Sequence, residues 1–221
     1  MIQFDNVSKR YETGHEALRN VSFFIDHDEM VFLTGHSGAG KSTLLKLIMM
    51  MEHPSNGQLI VDNVHLGKRG RSYIPWHRRQ IGVVFQNHQL LFDRSVFDNI
   101  ALPLQIAGYS HRDIGRRVRA ALDKVGLLEK EKHNPITLSG GQQQRIGIAR
   151  AVVHKPKILL ADEPTGNLDP DLSSEIMYLF EQFNHVGVTV LLATHELGMV
   201  RSMGRRTIVL EGGQVQDEVL P

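Results

Sequence analysis

The sequence predicts an α/β fold, a mostly parallel sheet covered by helices on both faces, with a helical segment inserted into it. Three observations point there. The apolar runs "MVFLTG" (30–35), "IGVVFQ" (81–86), "KILLADEP" (157–164) and "VTVLLATH" (188–195) have strand length and little alternation, the pattern of strands buried on both faces. Helical patterns separate some of them. The last three of these runs each end in a polar residue, and open α/β sheets hold ligands beyond the carboxyl ends of their strands.

The first strands and helix can be read in chain order. "IQFDNVSKRY" (2–11) alternates loosely and "VSFFIDHDE" (21–29) ends in a polar turn, so both read as strands. "MVFLTG" leads through a glycine-rich turn into "KSTLLKLIMMM" (41–51), apolar nearly all round and therefore a buried helix. Pro54 and Gly57 then break the helical pattern. Residues 93–153 are dominated by helical patterns. In "SHRDIGRRVRAALDKVG" (110–126), Ser110 and Asp113 have capping-box spacing, Ile114, Val118, Ala121, Leu122 and Val125 share one face, and Gly126 is a natural stop. This stretch reads as an α subdomain inserted into a core formed by residues 1–92 and 154–221. The tail "RTIVLEGGQVQDEV" (206–219) reads as a hairpin around Gly212 and Gly213.

Composition excludes several classes. Twenty-five basic and 24 acidic residues leave a net charge of +1, so bulk charge offers nothing to nucleic acid, and no nucleic-acid partner is expected. With no cysteine there is no disulfide, thiolate metal site or cysteine nucleophile. The 12 histidines show no zinc spacing. The N-terminus has no apolar secretory core, and no run approaches the ~18 apolar residues of a membrane span. Work at a membrane would therefore need another chain to hold this one there.

"GHSGAGKS" (35–42) fits G-x-x-x-x-G-K-[ST] and lies between a predicted strand and helix. Glycines let backbone N–H groups curl around phosphate, and the helix N-terminus adds its dipole. Lys41 would reach the β- and γ-phosphates, and Ser42 would hold Mg²⁺. "ILLADE" (158–163) delivers Asp162, suited to Mg²⁺, and Glu163, suited to orienting or deprotonating water. Gln86 and His195 end their own runs. His195 could donate to a γ-phosphate, and Gln86 could bind Mg²⁺ or the attacking water.

A second anion site is expected in "ITLSGGQQQRIGIARAV" (136–152), where the amides of Gly140 and Gly141 precede a helix from about Gln142 to Val153. A plain cap with Ser139 as N-cap would require neither the double glycine nor the glutamines.

"GHSGAGKS", Gln86, "LSGGQ" (138–142), "ILLADE", "NLD" (167–169) and His195 together resemble the ATPase domains of ABC transporters, in order and spacing, over essentially the whole chain. The resemblance implies a P-loop NTPase (RecA-like) core with an antiparallel β subdomain and the inserted α-helical subdomain. It implies ATP and Mg²⁺ as cofactors and ATP hydrolysis as the activity. Tyr11 matches the residue that stacks on adenine. Gly35, His36, Ser37, Gly38, Ala39, Gly40, Lys41, Ser42 and Thr43 match the phosphate cradle. Ser42, Gln86 and Asp162 match the metal site, with Glu163 as base beside His195, Gln86 and Lys41. Two copies would pack head to tail, so that Ser139, Gly140, Gly141 and Gln142 of one complete the nucleotide site of the other and Asp169 communicates between the sites.

Within the family, "GHSGAGKSTLLKLI", "RRQIGVVFQNHQLLFDRSVFDNIALPLQIAG", "ALDKVGLLEK" and "LFEQFNHVGVTVLLATHE" are most similar to the branch acting in bacterial cell division. That branch implies an integral membrane partner, a peripheral position on the cytoplasmic face of the inner membrane, and an indirect link to the division machinery and periplasmic amidase activators. Lipoprotein-release and macrolide-efflux ATPases share the motifs and are the alternative. DNA-repair ATPases of this type carry long coiled-coil or cysteine-rich insertions, which are missing here. Two departures stand out: Met50 replaces a usual glycine, and Glu196 follows His195 where Asp is commoner. The basic stretch "KRGRSYIPWHRR" (68–79) reads as a solvated loop or a contact for the membrane partner.

Overall fold

The apolar runs assemble into two sheets in the computed structural model, which describes residues 1–166 and 168–220. In chain order the elements begin with β1 (Ile2–Arg10), β2 (Glu16–Ile25), β3 (Met30–Thr34), α1 (Lys41–Ile48), β4 (Asn56–Val61), β5 (Val64–His65), α2 (Ile74–Arg78) and β6 (Ile81–Val84). The second half holds α3 (Val96–Ile106), α4 (His111–Lys124), α5 (Gly140–Val152), β7 (Ile158–Asp162), α6 (Pro170–His185), β8 (Thr189–Ala193), α7 (Leu197–Met203), β9 (Thr207–Glu211) and β10 (Gln214–Val219).

The larger sheet runs β10-β9-β3-β8-β7-β6. Its strands from β9 to β6 are parallel, and β10 is antiparallel on the expected hairpin. Gly212 and Gly213 carry positive φ, 54° and 80°, as the type I′ form of a two-residue hairpin turn requires. The smaller sheet, β2-β1-β4-β5, is antiparallel throughout. The structure is thus the α/β P-loop fold with an antiparallel β unit that the sequence implies.

Side-chain alternation divides the core in two. Val31, Leu33, Leu160, Leu191 and Ala193 project to one face and pack with α1 and the antiparallel sheet. Phe32, Leu159, Ala161, Val190 and Leu192 project to the other and pack with α3, α4, α5 and α6. Burial on both faces is why these strands are apolar throughout rather than alternating. The helices α3, α4 and α5 therefore share one apolar cluster with the sheet.

Helix α1 is shorter than the 41–51 pattern predicts. It closes in a Schellman turn: Met50 has φ 52°, its N–H bonds Leu47 O, and the Met51 N–H bonds Lys46 O. Left-handed backbone suits glycine and costs most other residues about 1 kcal/mol. That is the physical content of the usual glycine here, and the buried Met50 side chain supplies apolar contact in exchange. The carbonyls that the helix leaves open are bonded from the basic stretch. His77 Nε2 meets Ile48 O at 2.7 Å, and Arg78 donates to Met49 O (3.1 Å) and Met50 O (3.0 Å). Burial holds the His77 pKa below its ordinary value, in keeping with a neutral ring.

Part of the 68–79 stretch is therefore a helix cap, which corrects its reading as only a solvated or partner-binding loop. Charge reversal at Arg78 would disturb α1 as well as any surface contact. We expect Arg78→Met to lower unfolding stability by about 1–2 kcal/mol, measured by urea denaturation. An unchanged midpoint would show that water replaces the cap at no cost.

Candidate active site

Strand β3 delivers the chain into the loop 35–40, and α1 starts at its far end. Two glycines in this loop are required by space as well as conformation. A Cβ on Gly35 (φ 148°) would lie 2.2 Å from Leu210 O on β9, and one on Gly40 (φ 110°) would lie 2.6 Å from Ala17 O. Lys41 opens α1 and turns back across the loop. Its Nζ donates to Gly35 O (2.7 Å) and His36 O (3.3 Å), and lies 3.8 Å from Glu163 Oε1. A buried ammonium held by two carbonyls beside a carboxylate is placed to bind an anion entering the loop.

Strand β7 ends at Asp162, and Glu163 comes next in left-handed backbone, φ 49°. The Glu163 N–H continues the pairing to β8 by donating to Ala193 O (2.9 Å). Its Oε2 accepts from His195 Nδ1 (2.8 Å) and from the His195 N–H (3.3 Å). Lys41, Glu163 and His195 therefore form one chain of contacts from three segments of the sheet edge. Strands β6 and β8 end at Val84 and Ala193, so Gln86 and His195 stand two residues beyond the sheet rather than on it. On the other side, Tyr11 approaches α1 with its hydroxyl 3.2 Å from Thr43 Oγ1.

These groups line a cleft of about 620 Å³. It brings together Tyr11, residues 36–43, Gln86, Asp162, Glu163 and His195, whereas Gly35 is not among its lining residues. His15 and Ala17 also line it, and no sequence signal marks either: both sit in an ordinary turn and strand start.

Ser42, Asp162 and Gln86 open onto the same cleft. A hydroxyl, a carboxylate and a carboxamide are hard oxygen donors, which fits Mg²⁺ shared with phosphates and water. Burial pushes the Asp162 pKa above its ordinary value, the Ser42 hydroxyl opposing it and the neighbouring Glu163 reinforcing it. Ionised Asp162 then costs folding stability. A raised folded pKa means that this cost is present above it and disappears as pH falls through it. We expect Asp162→Asn to raise the thermal midpoint of the ligand-free chain at pH 7, with the gain vanishing at acid pH, and to weaken Mg²⁺-dependent turnover. A lower midpoint at pH 7 would contradict the burial cost.

The second glycine-rich stretch does not line this cleft. Helix α5 begins at Gly140, two residues earlier than the sequence suggests, and Ser139 is its N-cap in a complete capping box with Gln142. Most of the motif has work within the chain, contrary to the expectation that a cap would leave the glycine pair and the glutamines unexplained. Gln143 Nε2 donates to Pro135 O and Leu138 O, and Gln144 Nε2 donates to Pro164 O. A Cβ on Gly141 would lie 2.1 Å from Leu172 Cδ2. Gly140 is different, since a Cβ there meets nothing within 4 Å. Asp169 also lies away from the cleft. It caps α6, accepting from the Leu172 N–H at 3.0 Å. Asn167, the first residue of "NLD", lies outside the described residues. Glu196 accepts from Thr165 Oγ1 (3.0 Å) and so ties the segment after Glu163 to the one after His195.

The sequence matches the ABC transporter family over residues 18–166. The chain belongs to that family. This ABC cassette is an ATP-hydrolysing subunit, and the cleft is where its fold presents the phosphate loop. It is 57% identical over 219 residues to the cell division ATP-binding protein FtsE of Escherichia coli (strain K12), covering 99% of each chain. Among solved structures it is similar to the dimeric structure of MJ0796, a bacterial ABC transporter cassette, with TM-score 0.91 and 37% identity over 100% of this chain and 98% of that one. It is equally similar, at TM-score 0.91 and 36% identity over the same shares, to MJ0796 in a dimeric post-hydrolysis state bound to ADP and Pi.

Proposed function

We propose that this cassette is the ATP-hydrolysing subunit of a membrane complex acting in bacterial cell division. The observation that carries the proposal is the 57% identity to FtsE over 99% of both chains. Among the described residues no helix is long and apolar enough to cross a membrane, so the proposal requires an integral partner, FtsX-like in kind. The cassette would sit at the cytoplasmic face of the inner membrane, at the septum. Its ATP-driven dimerisation would pass a conformational change through that partner to periplasmic amidase activators, and so regulate peptidoglycan hydrolysis.

In this proposal Tyr11 stacks on the adenine, the loop 35–40 and α1 hold the phosphates, and Lys41 exchanges its carbonyl contacts for β- and γ-phosphate oxygens. Glu163 takes the proton of the attacking water, oriented by Gln86. His195 leaves Glu163 to donate to the γ-phosphate. Mg²⁺ held by Ser42, Asp162 and Gln86 would neutralise charge developing on the phosphates. Ser139 to Gln142 and Asp169, absent from the cleft, act at the site of a second copy packed head to tail. Residues 93–153 form the helical subdomain that carries this end.

The likeness to MJ0796, described as a transporter cassette, favours a second reading, an ATPase of a lipoprotein-release or macrolide-efflux transporter. Depleting the protein in its own host separates the two. Filamentous cells with undivided septa, and isolation of the cassette with one integral membrane protein, are the results expected. Normal septation with loss of lipoprotein transfer or drug export would replace the division reading with the transport one.

A further inference from the structure

Gln86 and Glu163 belong to the neighbouring strand ends of β6 and β7, and something must fix the loop that carries Gln86, because β6 is the edge of its sheet. Beyond Gln86 the loop turns through two consecutive left-handed residues, His88 (φ 49°) and Gln89 (φ 46°). Helix α5 grips this turn at two points. Arg150 donates through Nη2 to His88 O and through Nη1 to Gln89 O, both at 2.7 Å. Earlier on the same helix, the Gln144 side chain joins two segments at once. Its Nε2 donates to Pro164 O at 2.7 Å, and its Oε1 accepts from His88 Nδ1. A carbonyl can only accept, so the amide nitrogen must face Pro164 and the oxygen must face the His88 ring.

Gln144 is 1% exposed and lies on a helix whose neighbouring buried residues are apolar or small. Packing alone is better served there by an apolar side chain, since a buried amide adds stability only when its bonds are made. Both bonds are made, and they connect the loop next to Gln86 with the residue directly after Glu163.

We propose that His88 and Gln144 are positioning residues for ATP hydrolysis: their relay fixes Gln86 and Glu163 relative to each other. The proposal rests on the roles given above to those two side chains, which the relay itself does not touch.

The test uses the full chain and steady-state Mg²⁺-ATP hydrolysis. His88→Gly removes the donor and suits the left-handed backbone. His88→Asn keeps a donor near Nδ1 and also tolerates that backbone. His88→Gly should lower kcat about ten- to hundredfold, the cost of misplacing reacting groups by roughly an ångström. The KM for ATP should change by less than about twofold, because the phosphate loop and Tyr11 are untouched. His88→Asn should recover most of the lost kcat. Wild-type kcat in His88→Gly, equal losses in both variants, or a change confined to KM would each overturn the relay. Glu163→Gln run alongside separates the two proposals. Wild-type turnover in Glu163→Gln refutes the role of the base, whereas an inactive Glu163→Gln beside a fully active His88→Gly refutes the relay alone.

Discussion

Glu163→Gln abolishes turnover and leaves ATP bound: hydrolysis falls by about 10³-fold, within the range for losing a general base. The geometry explains why binding survives. Glutamine is isosteric, so the contact with His195 at 2.8 Å and the backbone bond to Ala193 O can persist. One negative charge leaves the surroundings of Lys41, which is then freer to meet phosphate. With the bond-breaking step removed, the ATP-bound dimer should accumulate. Size-exclusion chromatography with Mg²⁺-ATP should show a dimer for Glu163→Gln and a lower dimer fraction for the native chain. Turnover at the native rate would remove Glu163 from the chemistry, and its left-handed backbone would then need another explanation.

Gly140→Asp gives the second large effect. Within one chain this change is benign, because the new Cβ meets nothing within 4 Å and an acidic residue suits the first turn of a helix. The monomer should fold normally and bind ATP with native affinity. If Gly140 faces the γ-phosphate bound by a second copy, the added carboxylate repels it and removes an anion site. The expected loss in cooperative hydrolysis is about 10²-fold, comparable with deleting one oxyanion donor. Loss of monomer ATP binding would contradict the two-chain site, as would native turnover. Gly141 would not serve for this test. Its Cβ would strike Leu172, so a substitution there disturbs the packing of α5 on α6 and confounds folding with function. Ser139 is similarly compromised, because replacing it also removes the cap of α5, worth about 1 kcal/mol.

Much of the site could be read from local sequence because its parts are local. The phosphate loop needs only a strand, closely spaced glycines and a helix start, all within residues 30–48. Asp162 and Glu163 could be read because a strand buried on both faces must be apolar, so the first carboxylates mark its end. The sequence could not show that Glu163 departs into left-handed backbone, because nothing in the run "ILLADE" marks a residue that leaves the strand in that conformation. Nor could it show that the end of α1 is capped by His77 and Arg78, which stand 29 residues from their carbonyl partners. A basic run carries no mark of which of its charges point inward.

The sequence alone determined the fold class, the nucleotide chemistry and the family. The fold class rests on the periodicity of burial, the nucleotide chemistry on the residues of one phosphate loop, and the family on a resemblance carried by short motifs in order from Gly35 to His195. Only the tertiary structure decided which of the two neighbouring glycines of "LSGGQ" is free to face another molecule. It also decided which of its glutamines are already engaged. The physical reason is that adjacent residues on a helix point in different directions. Gly141 turns toward Leu172 and is needed for close packing, while Gly140 turns to open space.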